Sequence, residues 1–89
     1  MTHAKQWEID VHVDEHDRTT GAEARLHNPD GTELVGVGTA RCSSADPNVP
    51  KIGDEVAIAR ALADLTHQLL DAAAQDIEAV THRPAHLSG

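Results

Sequence analysis

Residues Gln6 to Glu15 read QWEIDVHVDE, and this stretch decides the fold class. Trp7, Ile9, Val11 and Val13 alternate with Glu8, Asp10, His12 and Asp14. A period of two with β-branched residues on one side marks a half-buried strand. After the loop HDRT at 16–19, Thr20 to Asn28 alternates again. Ala22, Ala24 and Leu26 share one face; Glu23, Arg25 and His27 share the other. Closing the strands on that loop predicts Val13 opposite Ala22, Val11 opposite Ala24 and Ile9 opposite Leu26. The polar face then sets Asp10 against Arg25 and Glu8 against His27, opposite charges worth about 0.2–1 kcal/mol each. The apolar and polar patterns agree on one register.

Asn28-Pro29-Asp30-Gly31 is a turn: Pro presets φ, Asn bonds its own backbone and Gly accepts positive φ. A third strand, ELVGVGTAR, runs from Glu33 to Arg41. Val35 and Val37 are placed in the core beside Ala22 and Ala24. The alternative face carries Leu34, Gly36, Gly38 and Ala40, and a one-residue change in the turn exchanges the two. Two glycines on one face mean close approach of a helix, a partner chain or a ligand. Residues 42–53, CSSADPNVPKIG, read as a connection stiffened by two prolines.

A long helix is expected from Asp54 to about Ala74, with Asp54 and Glu55 capping its first N–H groups. Ile58, Leu62, Leu65, Leu69 and Ala72 form one stripe; Val56, Ala59, Ala63, Leu70, Ala73 and Ile77 form an adjoining one. Arg60, Asp64, His67, Asp71 and Gln75 lie opposite, with Arg60/Asp64 and His67/Asp71 as i, i+4 pairs. Asp76 to Thr81 continues the helix or forms a short second one, and Pro84 ends either. The expected fold class is α+β, a three-stranded antiparallel meander with a long helix and a short second helix on one face (β-β-β-α-α). Residues 1–89 make a single domain, with a core over 6–82 and loose termini at 1–5 and 84–89.

The chain has 89 residues and a formal charge of −8. A chain this short buries only about 60% of its unfolded surface. Its single Cys excludes an intrachain disulfide and a Cys-rich zinc module. No apolar run approaches the ~20 residues that span a bilayer, and MTHAKQWEID has no apolar signal-peptide centre, so a soluble cytoplasmic protein is expected. There is no Phe or Tyr and one Trp, which removes the stacking platforms of single-strand nucleic-acid modules. The negative charge repels phosphate chains. Both features argue against direct nucleic-acid binding.

No constellation of catalytic residues stands out. His12, Asp14 and His16 alternate on one strand face near His27, but ligands so spaced on one strand do not converge without a bulge. Pro84 breaks the helix that would align His82 with His86. Cys42 has only Arg41 beside it, without the base a catalytic thiol needs. Ser43 and Ser44 sit in no nucleophile elbow, and Gly36-x-Gly38 lacks the third glycine of a dinucleotide site. No catalytic, cofactor or metal residue is therefore assigned. The broad apolar helix face and the glycine-bearing strand point to a homodimer using strand 33–41 or the second helix stripe. Leu34, Gly36, Gly38, Val56, Ala63 and Leu70 are the candidate dimer contacts. Glu8, Asp10, His12, Arg25 and His27 on the open sheet face are the candidate partner surface.

The strings DEHD at 14–17, ELVGVGTAR at 33–41, DPNVPKIGDEVAIARALADL at 46–65 and DIEAVTHRPA at 76–85 carry a resemblance covering about residues 7–85. Together they resemble a small actinobacterial family of domains of unknown function. Its members resemble the double-stranded-RNA-binding fold, and one is a dormancy-induced protein likened to ribosome hibernation factors. The resemblance implies an α+β fold and dimers, and brings no activity or catalytic residues. RNA-binding relatives of that fold place Lys or Arg at a helix N-terminus, whereas Asp54-Glu55 is expected here. A non-enzymatic, dimeric, stress- or dormancy-associated protein acting through protein contacts is the expectation. A ribosome-associated factor touching basic ribosomal proteins is the alternative, and a small metal-binding protein the next.

Overall fold

Two consecutive positive φ angles, 47° at Asp17 and 62° at Arg18, close the first hairpin. The computed structural model describes residues 2–43 and 45–87. Met1 and residues 88–89 of the expected loose termini, and Ser44 in the 42–53 connection, lie outside the described residues. The elements are β1 (Glu8–His16), β2 (Thr19–His27), β3 (Glu33–Arg41) and α1 (Pro50–Thr81), and the antiparallel sheet has the order β1-β2-β3. A two-residue turn between right-twisted strands requires left-handed backbone, usually from Asn or Gly. Here Arg18 sustains it by tying itself to the loop beyond β3. Its guanidinium donates to Ser43 O at 2.8 Å and to Asp46 O, and its carbonyl accepts the Cys42 N–H at 2.8 Å.

The register of β1 on β2 matches the sequence reading residue for residue, from Glu8 opposite His27 to Val13 opposite Ala22. The turn at 28–32 is closed by Asn28 Oδ1, which accepts from Asp30 N–H and Thr32 N–H at 3.0 Å, with Gly31 at φ 91°. That turn sets Leu26 opposite Leu34, Ala24 opposite Gly36 and Ala22 opposite Gly38. Directly opposed residues share a face, so the expected core placement of Val35 and Val37 is corrected: Val37 is 58% exposed and Gly36 is buried. The reason is steric. A methyl on Gly36 or Gly38 would fall within 3 Å of the α1 backbone at Ala57, Ala61 and Leu65, and valines there would hold the helix off the sheet.

The helix presses on the sheet with a row that the two expected stripes largely missed, Ala57, Ala61 and Leu65. Four alanines (22, 24, 57, 61) and two leucines (26, 65) make the apolar core. It is shallow because small residues buy closeness of backbone rather than volume. The helix is one element of 32 residues, and among the described residues no second helix follows it. Ala74 to Glu78 contains no breaker, so nothing interrupts the ladder until His82, whose left-handed backbone (φ 57°) caps it with an N–H to Glu78 O at 2.8 Å. The helix also starts earlier than expected, at Pro50, the first-turn position where a missing N–H costs nothing. Asp54 and Glu55 therefore lie beyond the first turn, which holds no acid, and Val49 gives no side-chain cap.

Candidate interaction surfaces

The outer face of the sheet gathers charge. Glu8, Asp10, His12 and Asp14 of β1 stand beside Glu23, Arg25 and His27 of β2 and Glu33 of β3. The pairings differ in detail from those expected. Arg25 turns from Asp10 toward Glu33, at 2.5 Å, and Glu23, at 3.4 Å. The hydrogen bond to Glu33, with that carboxylate's charge, raises the Arg25 pKa above its ordinary value. His27 lies between two carboxylates, Nε2 3.2 Å from Asp10 and Nδ1 3.2 Å from Glu33. The candidate partner residues Glu8, Asp10, His12, Arg25 and His27 thus share one exposed face, and Glu33 is the member that strand-pair reasoning on β1 and β2 missed. His12 contacts Asp14 at 3.5 Å. Among the described residues no three His, Cys, Asp or Glu side chains are grouped to hold a metal ion.

The two edges of the sheet differ. The free edge of β3 is closed by the helix. Gln68 Nε2 donates to Val35 O at 2.7 Å, Asp64 Oδ2 accepts the Val37 N–H at 2.8 Å, and Arg60 Nη1 donates to Thr39 O at 2.7 Å. Arg60 and Asp64, expected to pair with each other on an outward face, instead serve the strand. The helix lies over β3 and β2 and scarcely touches β1. On that uncovered side Trp7, Ile9 and Val11 remain 49%, 50% and 42% exposed. Leu62 and Leu69, at 37% and 41%, lie on the opposite flank of α1 from Arg60 and Asp64, given 100° per residue. They border the same open side.

A cavity of about 330 Å³ lies where the first hairpin meets the start of α1, lined in part by Arg18, Thr20, Arg41, Cys42, Asp46 and Arg60. Arg18, and not only Arg41, is the cation beside Cys42: its Nη2 is 3.3 Å from Sγ. No local pattern foretells this contact, which spans 24 residues of chain. Arg18 and Arg60 spend their guanidinium groups on backbone carbonyls, so the cavity wall is a structural knot tying hairpin to loop.

The candidate dimer contacts do not form one surface. Gly36 and Gly38 are covered by the chain's own α1, Leu34 packs against the core, and Val56 lines the cavity. Ala63 and Leu70 fall on the side of the helix turned from the sheet. The close approach that two glycines foretold is made by the helix.

The family model described as Rv2632c-like matches residues 5–86. The chain belongs to the Rv2632c-like family. It is 54% identical over 80 residues to the uncharacterized protein Rv2632c of Mycobacterium tuberculosis, covering 90% of this chain and 85% of that one. It is 53% identical over 83 residues to the uncharacterized protein Mb1767 of Mycobacterium bovis, covering 93% and 87%. The crystal structure of Rv2632c superposes with a TM-score of 0.83 at 52% identity, over 93% of this chain and 98% of that one. The three-stranded, one-helix α+β architecture is therefore that of a solved Rv2632c-like protein. No helix among the described residues is long and apolar enough to cross a membrane.

Proposed function

We propose that this Rv2632c-like protein is a non-enzymatic, homodimeric, stress- or dormancy-associated protein that acts through protein contacts. One observation carries the reading: the large apolar side chains stand on the surface while the core is built of alanine and two leucines. Exposed Trp, Ile, Val and Leu lose their unfavourable contact with water when a second surface covers them, at about 25 cal/mol per Å². The stress or dormancy setting is supported by the resemblance of residues 7–85 to a family with a dormancy-induced member.

Size-exclusion chromatography with light scattering at tens of micromolar tests the assembly. The expected mass is twice 9.5 kDa, and a protomer mass overturns the reading. Protein abundance compared between growing and starved cells tests the setting, and an unchanged level removes it.

A second reading, a ribosome-associated hibernation-type factor, is favoured by the acid-rich outer face of Glu8, Asp10, Asp14, Glu23 and Glu33. Such a face suits a basic protein better than RNA. Co-sedimentation with ribosomes from starved cells separates the two readings, and tight, salt-sensitive duplex-RNA binding would overturn both.

A further inference from the structure

We infer that the cavity between the first hairpin and the start of α1 is a binding site for a small molecule that carries a phosphate group on an apolar body. The inference goes beyond the reading above and does not depend on self-association.

Positive charge gathers there on a chain that is otherwise acidic. The formal charge is −8, yet Arg18, Arg41 and Arg60 all line this one cavity. Among the described residues only Arg25, on the outer face, pairs with carboxylates. Arg18 and Arg60 are held by backbone carbonyls, which fix a guanidinium without cancelling its charge. Asp46 is the one acid on the wall among the described residues, and it meets Arg18 through its carbonyl rather than its carboxylate. Clustered cations in a cleft concentrate anions, and the guanidinium fork matches phosphate oxygens.

Unpaired polar groups border the same space. Thr20 is the one buried polar side chain among the described residues, at 4% exposure. Its hydroxyl makes no hydrogen bond with any of them and stands at the first turn of α1, where a methyl on Gly53 would fall 2.8 Å from Oγ1. Thr20 and Gly53 both line the cavity. Arg18 Nε is likewise buried without a partner. Buried polar groups are ordinarily paired, so groups left unpaired beside a cavity point to a ligand that pairs them. The helix start adds to this. Val49 gives no side-chain cap and the first turn holds no acid. The positive end of the α1 dipole is therefore not neutralised by the chain itself, which favours an anion.

The size and the remaining walls set the ligand class. The volume of about 330 Å³ lies within the range of small-molecule sites, roughly 300–1,000 Å³, and leaves room beyond one phosphate group. Val49, Ile52 and Val56 supply an apolar wall, and the first two are exposed. An organic body attached to the phosphate would cover them. A nucleic-acid chain is disfavoured, because the net negative charge outside the cavity repels a polyanion.

The test uses the full chain. Cys42 lines the cavity and is the chain's single cysteine, so its alkylation by neutral iodoacetamide reports occupancy. The probes are phenyl phosphate and inorganic phosphate, each compared with sodium chloride at matched ionic strength. Phenyl phosphate at about ten times its Kd is expected to slow alkylation about tenfold and to shift the Thr20 and Gly53 amide resonances. Inorganic phosphate should need a higher concentration. Arg41 is exposed and makes no side-chain hydrogen bond among the described residues, so Arg41→Gln leaves the fold intact, as far-UV circular dichroism checks. It is expected to weaken phenyl phosphate about tenfold, the loss of one charged hydrogen bond, and Thr20→Val should weaken it too. Arg83→Gln, outside the cavity, should not. Absence of protection and of amide shifts at millimolar phenyl phosphate overturns the site. So does binding that neither Arg41→Gln nor Thr20→Val weakens. Equal affinity for inorganic phosphate overturns the organic body, and tighter protection by duplex RNA overturns the small-molecule class.

Discussion

Asp30 shows how a single side chain is tuned by the turn that holds it. Hydrogen bonds from the Thr32 side chain and backbone, aided by Asn28, hold its carboxyl below the ordinary aspartate value; the Thr32 N–H lies 2.8 Å from Oδ1. A carboxyl whose folded pKa is depressed contributes stability that is fully present above its unfolded pKa, about 3.9. That contribution is lost as pH falls through the folded value. The 28–32 turn is therefore expected to loosen only in strong acid. Following the Asp30 carboxyl and the Thr32 amide by NMR checks this: both should titrate together, with a midpoint below that of an unstructured aspartate. A midpoint at or above the ordinary value would contradict the geometry. Arg18 belongs to the same scale. Its left-handed backbone is costly for a non-glycine residue, and its bonds to Ser43 and Asp46 are what hold it there.

Among the elements, the contact of α1 with β3 is the tightest. Gly36 and Gly38 have no room for a methyl, so Gly36→Val should force the helix away and cost about 1–3 kcal/mol or more, the range of overpacking. Gly21, on the outer face of β2, has nothing within 4 Å of an added Cβ. Gly21→Ala should leave stability unchanged or raise it slightly by restricting the unfolded chain. Urea midpoints of the two variants check the contrast, and equal losses would remove the close-approach account. The 32-residue length of α1 is a related consequence: at about 1.5 Å per residue it runs ~48 Å, whereas a nine-residue strand spans ~30 Å. The helix outruns its sheet, and Ile77 and Val80 near its end stay exposed.

For the whole molecule, the balance of core against surface governs stability. Among the described residues no large side chain is fully buried, and a domain of this size is marginal alone. If the folded form is a dimer, unfolding is linked to protomer concentration. The thermal midpoint is expected to rise steadily as protein concentration is raised tenfold and again tenfold. A midpoint independent of concentration would mean that the shallow core suffices by itself.

The sequence by itself determined three strands, the β1–β2 register, the turn at 28–32 and a long helix. These follow from period-two and helical patterns and from turn chemistry, which act over a few neighbouring residues. The charged face was legible for the same reason, since opposite residues of one hairpin are fixed once its register is. Only the tertiary structure decided which face of β3 is buried, because both faces carry small or apolar residues and steric closeness to α1 chose the glycines. It alone brought Arg18 to Cys42, Glu33 to Arg25 and His27, and the Arg60–Asp64–Gln68 row to the edge of β3. Those contacts join residues distant along the chain, and no local pattern encodes which distant group a polar side chain will meet.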